Sequence, residues 1–189
     1  MEEKVTKLKN NIELVYKTNK NTPRVALCLN YSLNMPNPHP GVYSLMSRLF
    51  LQGTKSRNAQ QLSEELDKYA IEFSSELKLD YLKFKIVCLN EDFPKAIEIL
   101  TDIVKNTTFD EFEKERVKMV GEIEADLDSP RSKVVDNYYK NIYANHHYGY
   151  TNTVILDNLA NINKQEVIEA FKYFTDNSKK VISFVGDID

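Results

Sequence analysis

No run in the sequence approaches the roughly 20 consecutive apolar residues that a helix needs to cross a bilayer. The amino terminus, MEEKVTKLKNN, lacks the basic, apolar and small-residue succession of a secretory signal, so a cytoplasmic protein without a membrane span is expected. Cysteine is nearly absent. Cys28 and Cys88 stand far apart in strand-like segments, with neither the close spacing of a zinc site nor the number of a disulfide framework, and both read as small buried hydrophobes. Charge of one sign is lacking too: 25 basic and 28 acidic residues are interspersed and leave a formal charge of -3. No basic face is set aside for phosphates, which excludes nucleic acid as the expected partner. Glycine and proline are scarce, five and six in 189 residues, and no linker, low-complexity tract or short repeat divides the chain. One continuous domain over residues 1–189 follows, with 42% hydrophobic residues to fill its core.

What is present is patterned. Val5–Lys9 and Ile12–Lys17 flank Asn10-Asn11 as a hairpin, and Val25–Leu29 reads as a longer strand. After the breaker PNPHPG, residues Val42, Leu45, Met46, Leu49 and Phe50 recur at i, i+3, i+4, i+7 and i+8. That is the apolar face of a helix ending near Gly53, with Ser44, Ser47 and Arg48 off the stripe. A second helix runs from about Asn58 through Leu62 and Leu66 to Tyr69. Phe73–Leu79 and Leu82–Cys88 alternate as a half-buried antiparallel pair, Lys83 and Lys85 interleaving with apolar positions. Asp92–Lys105 is amphipathic; Thr108-x-x-Glu111 reads as a capping box opening a helix through Leu127; and Ser129-Pro130 restarts a helix. Asn163-x-x-Glu166 opens another through Phe171, and Val181–Val185 returns as a strand. The fold class is α+β: an antiparallel-rich mixed sheet covered on one face by helices.

This order, with the texts PGVYSLMSRLFLQGTKSR, LKLDYLKFKIVCLNEDFPKAIEIL, FEKERVKMVGEIEADLDSPR, HHYGYTNTVI and VISFVGDID, resembles the N-terminal domain of the pitrilysin/insulinase zinc peptidases, the mitochondrial-processing-peptidase-like proteins among them. The resemblance covers nearly the whole chain and implies their metallohydrolase-like half-domain. Active members carry G-x-A-H-x-x-E-H-x-x-x-x-G-T on the first helix, where two His hold zinc and the Glu activates its water. Setting Gly41 and Gly53-Thr54 on that pattern places Ser44 at the first His, Ser47 at the catalytic Glu and Arg48 at the second His. Glu115-Arg116-x5-Glu122 matches the family's later acidic pair, so the resemblance carries the third-ligand role to Glu122 and a supporting role to Glu115.

Judged by chemistry, the motif is degenerate. A catalytic zinc wants about three ligands from His, Cys, Asp or Glu and an open water position, and two hydroxyls do not supply them. The Arg48 guanidinium stays protonated and stands where a dication would sit. Position 47 offers no carboxylate to act as base. No catalytic residue and no metal ligand set of its own are therefore expected, zinc being the cofactor of active relatives. Arg48 would instead neutralise the retained Glu122 and Glu115. Ser44 and Ser47 lack a nearby His or Lys base in sequence and a nucleophile-elbow pattern. His39, and His146-His147 in a stretch resembling the family's H-P-Y-G, lack ligand spacing and read as surface or packing residues. Tyr138, Tyr139, Ile142 and Tyr143 at helical spacing read as core or interface. Active relatives bind extended peptide on an edge strand with a G-x-x-N-A-x-T-like text; here Ile71–Leu77 stands there without the Gly or the Asn-Ala pair.

The resemblance implies a non-catalytic zinc-peptidase-like domain or subunit. It would pair with an active metallopeptidase subunit, and with a homologous C-terminal half outside this chain, to form a peptide-degrading or processing chamber that holds peptide. An active zinc metalloendopeptidase with an atypical site and an architectural subunit of a larger complex are the alternatives.

Overall fold

Alternation of apolar and polar side chains builds one six-stranded sheet. In the computed structural model, which describes residues 4–9, 12–32 and 39–187, the strands are β1 (Lys4–Lys7), β2 (Glu13–Thr18), β3 (Arg24–Ser32), β4 (Glu72–Leu77), β5 (Tyr81–Leu89) and β6 (Lys180–Gly186). Their order is β1-β2-β6-β3-β5-β4. Only β2 and β6 pair in parallel, Tyr16 opposite Phe184; the other neighbours are antiparallel. The first hairpin forms as read, with Val5 opposite Val15, while its Asn10-Asn11 turn lies outside the described residues. So do Met1–Glu3, the PNP of the PNPHPG breaker, and the last two residues of VGDID.

The helices are α1 (Val42–Leu49), α2 (Ala59–Lys68), α3 (Phe93–Asn106), α4 (Phe112–Leu127), α5 (Pro130–Ile142), α6 (Asn152–Leu159) and α7 (Lys164–Asn177). Leu82, Phe84, Ile86 and Cys88 on β5 are buried beneath them, and Lys83 and Lys85 between are not. All five residues of the α1 stripe, Val42, Leu45, Met46, Leu49 and Phe50, are fully buried, each contributing about 2 kcal/mol by leaving water. Phe50 packs on Phe84 at 4.8 Å and on Phe171 at 5.4 Å, and Tyr31 packs on Phe174 at 4.9 Å. The first helix is thus held between the sheet and α7, a rigid base for whatever its polar flank does. Gly41 sets its entry: its φ of 99° suits glycine, and an added Cβ would lie 3.2 Å from Ile155 and Ile162.

Local chemistry agrees at most element starts. Asn163 and Glu166 form the capping box that opens α7, and Ser129 caps α5 with Pro130 in its first turn. The box read at Thr108-Glu111 does not form. The buried Phe109 takes φ 57° to pack at 5.5 Å from Phe171, so the chain turns there. Glu111 becomes the N-cap without a side-chain cap bond, and the Thr108 hydroxyl bonds Asp110 instead. Cys88 is buried as expected, but Cys28, on the opposite face of β3, is only half-buried. α6 is a helix the sequence reading did not single out. Among the described residues no helix is long and apolar enough to cross a membrane.

The loop after α1 is tied to α3 through the buried Asp102. Thr54 Oγ1, Ser56 Oγ and Arg57 Nη1 each donate to Asp102 Oδ2 at 2.7 Å, and Asn106 Nδ2 donates to Oδ1 at 2.8 Å. Burial alone would raise the Asp102 carboxyl; the bonds from Ser56, Asn106, Thr54 and Arg57 outweigh it and hold the group well below the usual carboxylate range. Because the folded pKa is depressed, the stabilisation is complete above the unfolded pKa and fades as pH falls toward the folded one. Asp102→Asn is expected to cost about 3 kcal/mol at neutral pH. In urea unfolding the gap from the parent should narrow only below about pH 4.

Candidate functional site

Arg48 stands in the last turn of α1, where a cation also suits the helix dipole. Facing it is α4, whose buried stripe is Phe112, Glu115, Met119 and Ile123. A glutamate therefore occupies a position that the 3.6-residue period turns inward, and it needs a cation. Arg48 supplies it. Its Nη2 donates to Glu122 Oε2, and its Nη1 lies 3.9 Å from Glu115 Oε2. The three side chains are graded in exposure, Glu115 at 4%, Arg48 at 28% and Glu122 at 48%. The hydrogen bond from Arg48 holds the Glu122 carboxyl below its ordinary range.

Two further side chains named from the sequence lie on the same helix. Ser47 Oγ donates to the Ser44 carbonyl at 2.9 Å, inside its own turn, and Ser75 Oγ on β4 donates to the Ser47 carbonyl at 3.3 Å. The second bond ties α1 to β4, which closes one end of the sheet and, among the described residues, pairs only with β5. Ile71–Leu77 thus ends in an edge strand with free main-chain groups. Ser44 lines a cleft with His39, Tyr43, Leu77, Lys78 and His147.

These groups do not fit zinc. Beside Glu122 stands a guanidinium that has no lone pair to offer, and Ser44 and Ser47 bring only neutral hydroxyls to the first histidine and the glutamate positions of the pattern. Among the described residues no cluster of three His, Cys, Asp or Glu side chains is arranged to hold a metal. Two histidines have other partners, His39 Nδ1 being 3.0 Å from Glu166 Oε1 and His146 Nδ1 accepting from the Tyr148 N–H, while His147 Nε2, 3.7 Å from Asp80 Oδ1, is buried without a hydrogen bond. Tyr148 also donates its hydroxyl to Asp80, fastening the β4–β5 turn to the segment after α5.

A second cleft escaped the sequence reading. It is lined by Leu79, Asp126, Ser132, Asp136, Tyr139 and Thr151, among others. Asp136 is buried; its Oδ1 accepts from the Thr153 N–H at 3.1 Å, whereas its Oδ2 and Thr151 Oγ1 are buried without a partner. Reading α5 by its apolar stripe hid this, because the helix is turned the other way. Val134, Tyr138 and Ile142 are 68%, 60% and 56% exposed, so the tyrosine stripe is not core. An acidic residue directly opposite an apolar stripe was the available signal.

The family described as Insulinase (Peptidase family M16) matches residues 11–153. The chain is 25% identical over 184 residues to the "Uncharacterized zinc protease YmxG" of Bacillus subtilis, spanning 95% of this chain and 45% of that protein. It is 23% identical over 153 residues to the mitochondrial-processing peptidase subunit beta of Bos taurus, spanning 78% and 31% respectively. In fold it is similar to a peptidase M16 inactive domain from Pseudomonas fluorescens, with TM-score 0.90 and 15% identity over 100% of this chain and 47% of that one. A protease from Helicobacter pylori gives TM-score 0.87 and 18% identity over 100% and 47%. The chain spans less than half the length of each of these relatives.

Arg48→Ala is expected to lower stability by about 2 kcal/mol, chiefly by stranding the buried Glu115, since a half-exposed partner such as Glu122 contributes little. Adding Glu115→Gln should recover about half of that loss in urea unfolding. Full stability in the single variant would show that the ion pair does not hold α1 to α4.

Proposed function

The chain belongs to the insulinase family of peptidases, family M16, and on that premise we propose that it is a peptidase half-domain, residues 1–189, that holds extended peptide without cutting it. One observation carries the reading: Arg48 is ion-paired to Glu122 and Glu115, at the place the family pattern assigns to a second histidine beside its acidic ligand. The charge a zinc ion would bring is already present in covalent form, and the two neighbouring hydroxyls add neither a ligand nor a base. The degenerate positions are Ser44, Ser47 and Arg48, the retained acids are Glu115 and Glu122, and no resident metal is part of the proposal. Similarity to an inactive domain supports it.

Peptide binding rests on the free edge of β4, which offers main-chain donors and acceptors to an extended chain, and on the buried Asp136 oxygen, which awaits a donor. A basic side chain suits that carboxylate. Relatives more than twice as long support a homologous second half, and the likeness to a beta subunit supports pairing with an active peptidase subunit to close a chamber. A cytoplasmic location belongs to the same reading.

Metal analysis separates this function from that of an active enzyme. The purified chain should carry no stoichiometric zinc, whereas the variant S44H/S47E/R48H should bind one zinc per chain and lose it on Glu122→Gln. Stoichiometric zinc in the parent, with peptidase activity abolished by chelator, would falsify the proposal. A companion measurement concerns specificity. Asp136→Asn should weaken binding of lysine- or arginine-containing peptides about tenfold, a change of about 1.4 kcal/mol, and leave peptides without basic residues unaffected.

A further inference from the structure

Arg48 has more hydrogen-bonding capacity than its ion pairs use. A guanidinium presents five N–H donors in a planar fork. Among the described residues one hydrogen bond engages them, from Nη2 to Glu122, while Glu115 stands at ion-pair distance from Nη1. The side chain keeps 28% of its exposure, so donors remain within reach from outside. The group is also steadied: two carboxylates of α4 hold its charge, and its helix is buried on the face beneath.

Its position relative to the sheet edge matters next. The residue before it, Ser47, accepts a hydrogen bond at its main-chain carbonyl from Ser75 Oγ, and Ser75 lies in the middle of β4 (Glu72–Leu77). A chain that adds to that edge runs about 4.8 Å outside β4. The last turn of α1, with Arg48 next to Ser47, lies against β4 itself and so one strand away from such a chain.

Charge decides what kind of acceptor fits. Arg48 and Lys118, which is near enough to help lower the Glu122 carboxyl, balance Glu115 and Glu122. With those charges cancelled a carboxylate finds no surplus cation to pair with, whereas a neutral carbonyl oxygen needs nothing more than a free N–H. We propose that Arg48 is a peptide-anchoring residue whose unused N–H donors take a main-chain carbonyl oxygen of a peptide lying along the free edge of β4. The anchor rests on the peptide-holding reading above. It makes and breaks no covalent bond: the guanidinium keeps its proton and the peptide leaves intact.

The test uses the full chain and a fluorescein-labelled decapeptide of Val, Thr, Ser and Lys, with binding followed by anisotropy. Arg48→Gln and Glu122→Gln both remove the Arg48–Glu122 ion pair between α1 and α4, and urea unfolding measures what each costs in stability; only the first removes the donors. Arg48→Gln is expected to weaken binding about tenfold and Glu122→Gln less than about twofold. A decapeptide series with one carbonyl at a time replaced by a thioamide, a poorer acceptor, should contain a position that weakens binding to the parent but not to Arg48→Gln. Equal weakening in both variants would assign the effect to the helix tie and overturn the anchor. Parent-like binding by Arg48→Gln would also overturn it, leaving the peptide-holding function in place. No binding by the parent would reject that function, and the anchor with it.

Discussion

A carboxylate turned inward by helical periodicity must find a positive charge, and the arrangement around α1 and α4 follows from that need. Glu115 shares a stripe with Phe112, Met119 and Ile123, so it cannot escape to solvent without rotating the whole helix. Arg48 meets it from a helix whose own apolar face is sealed against the sheet. Each side chain is therefore delivered by packing, and their charges complete the contact. The same cation reaches Glu122 at the surface, which makes one residue a link between interior and exterior.

Replacing a metal by an arginine changes what such a place can do. A zinc ion polarises a bound oxygen and lowers the pKa of its water; a guanidinium offers only directed N–H groups and a fixed charge. On the proposed reading hydrolysis is left without an activated water, while recognition keeps its donors. The hydroxyls at Ser44 and Ser47 fit this shift, since Ser47 spends its proton on its own helix and its carbonyl on Ser75. These contacts tie α1 to β4 without closing the edge of the sheet.

Much of this was legible in the residues. The α1 stripe, the alternation of β5 and the box at Asn163 are local signals, and each is met by the structure as read. Ser44, Ser47, Arg48, Glu115 and Glu122 became a constellation only through resemblance, because by periodicity alone they are the polar flanks of two separate helices. What was not legible depends on distant partners. The insertion of β6 between β2 and β3 is a pairing over most of the chain, which a period of two cannot specify. α5 buries Asp136 and exposes Tyr138, the reverse of what an apolar stripe implies, because its orientation is set by capping contacts to α6 such as the Thr153 N–H. At Thr108 a local cap lost to the burial of Phe109, a larger gain than one surface hydrogen bond.

The central place of β6 has a temporal side. Its residues, Lys180–Gly186, are made after every other strand of this sheet, yet they join the opening hairpin to the rest of it through Tyr16, Phe184 and Leu27. Until they arrive, β1 and β2 have no neighbour, and β3 presents a bare flank of unpaired amides. Completion of the sheet therefore waits on β6, and a polypeptide halted before Lys180 is left with two disconnected fragments of sheet and an adhesive edge on each.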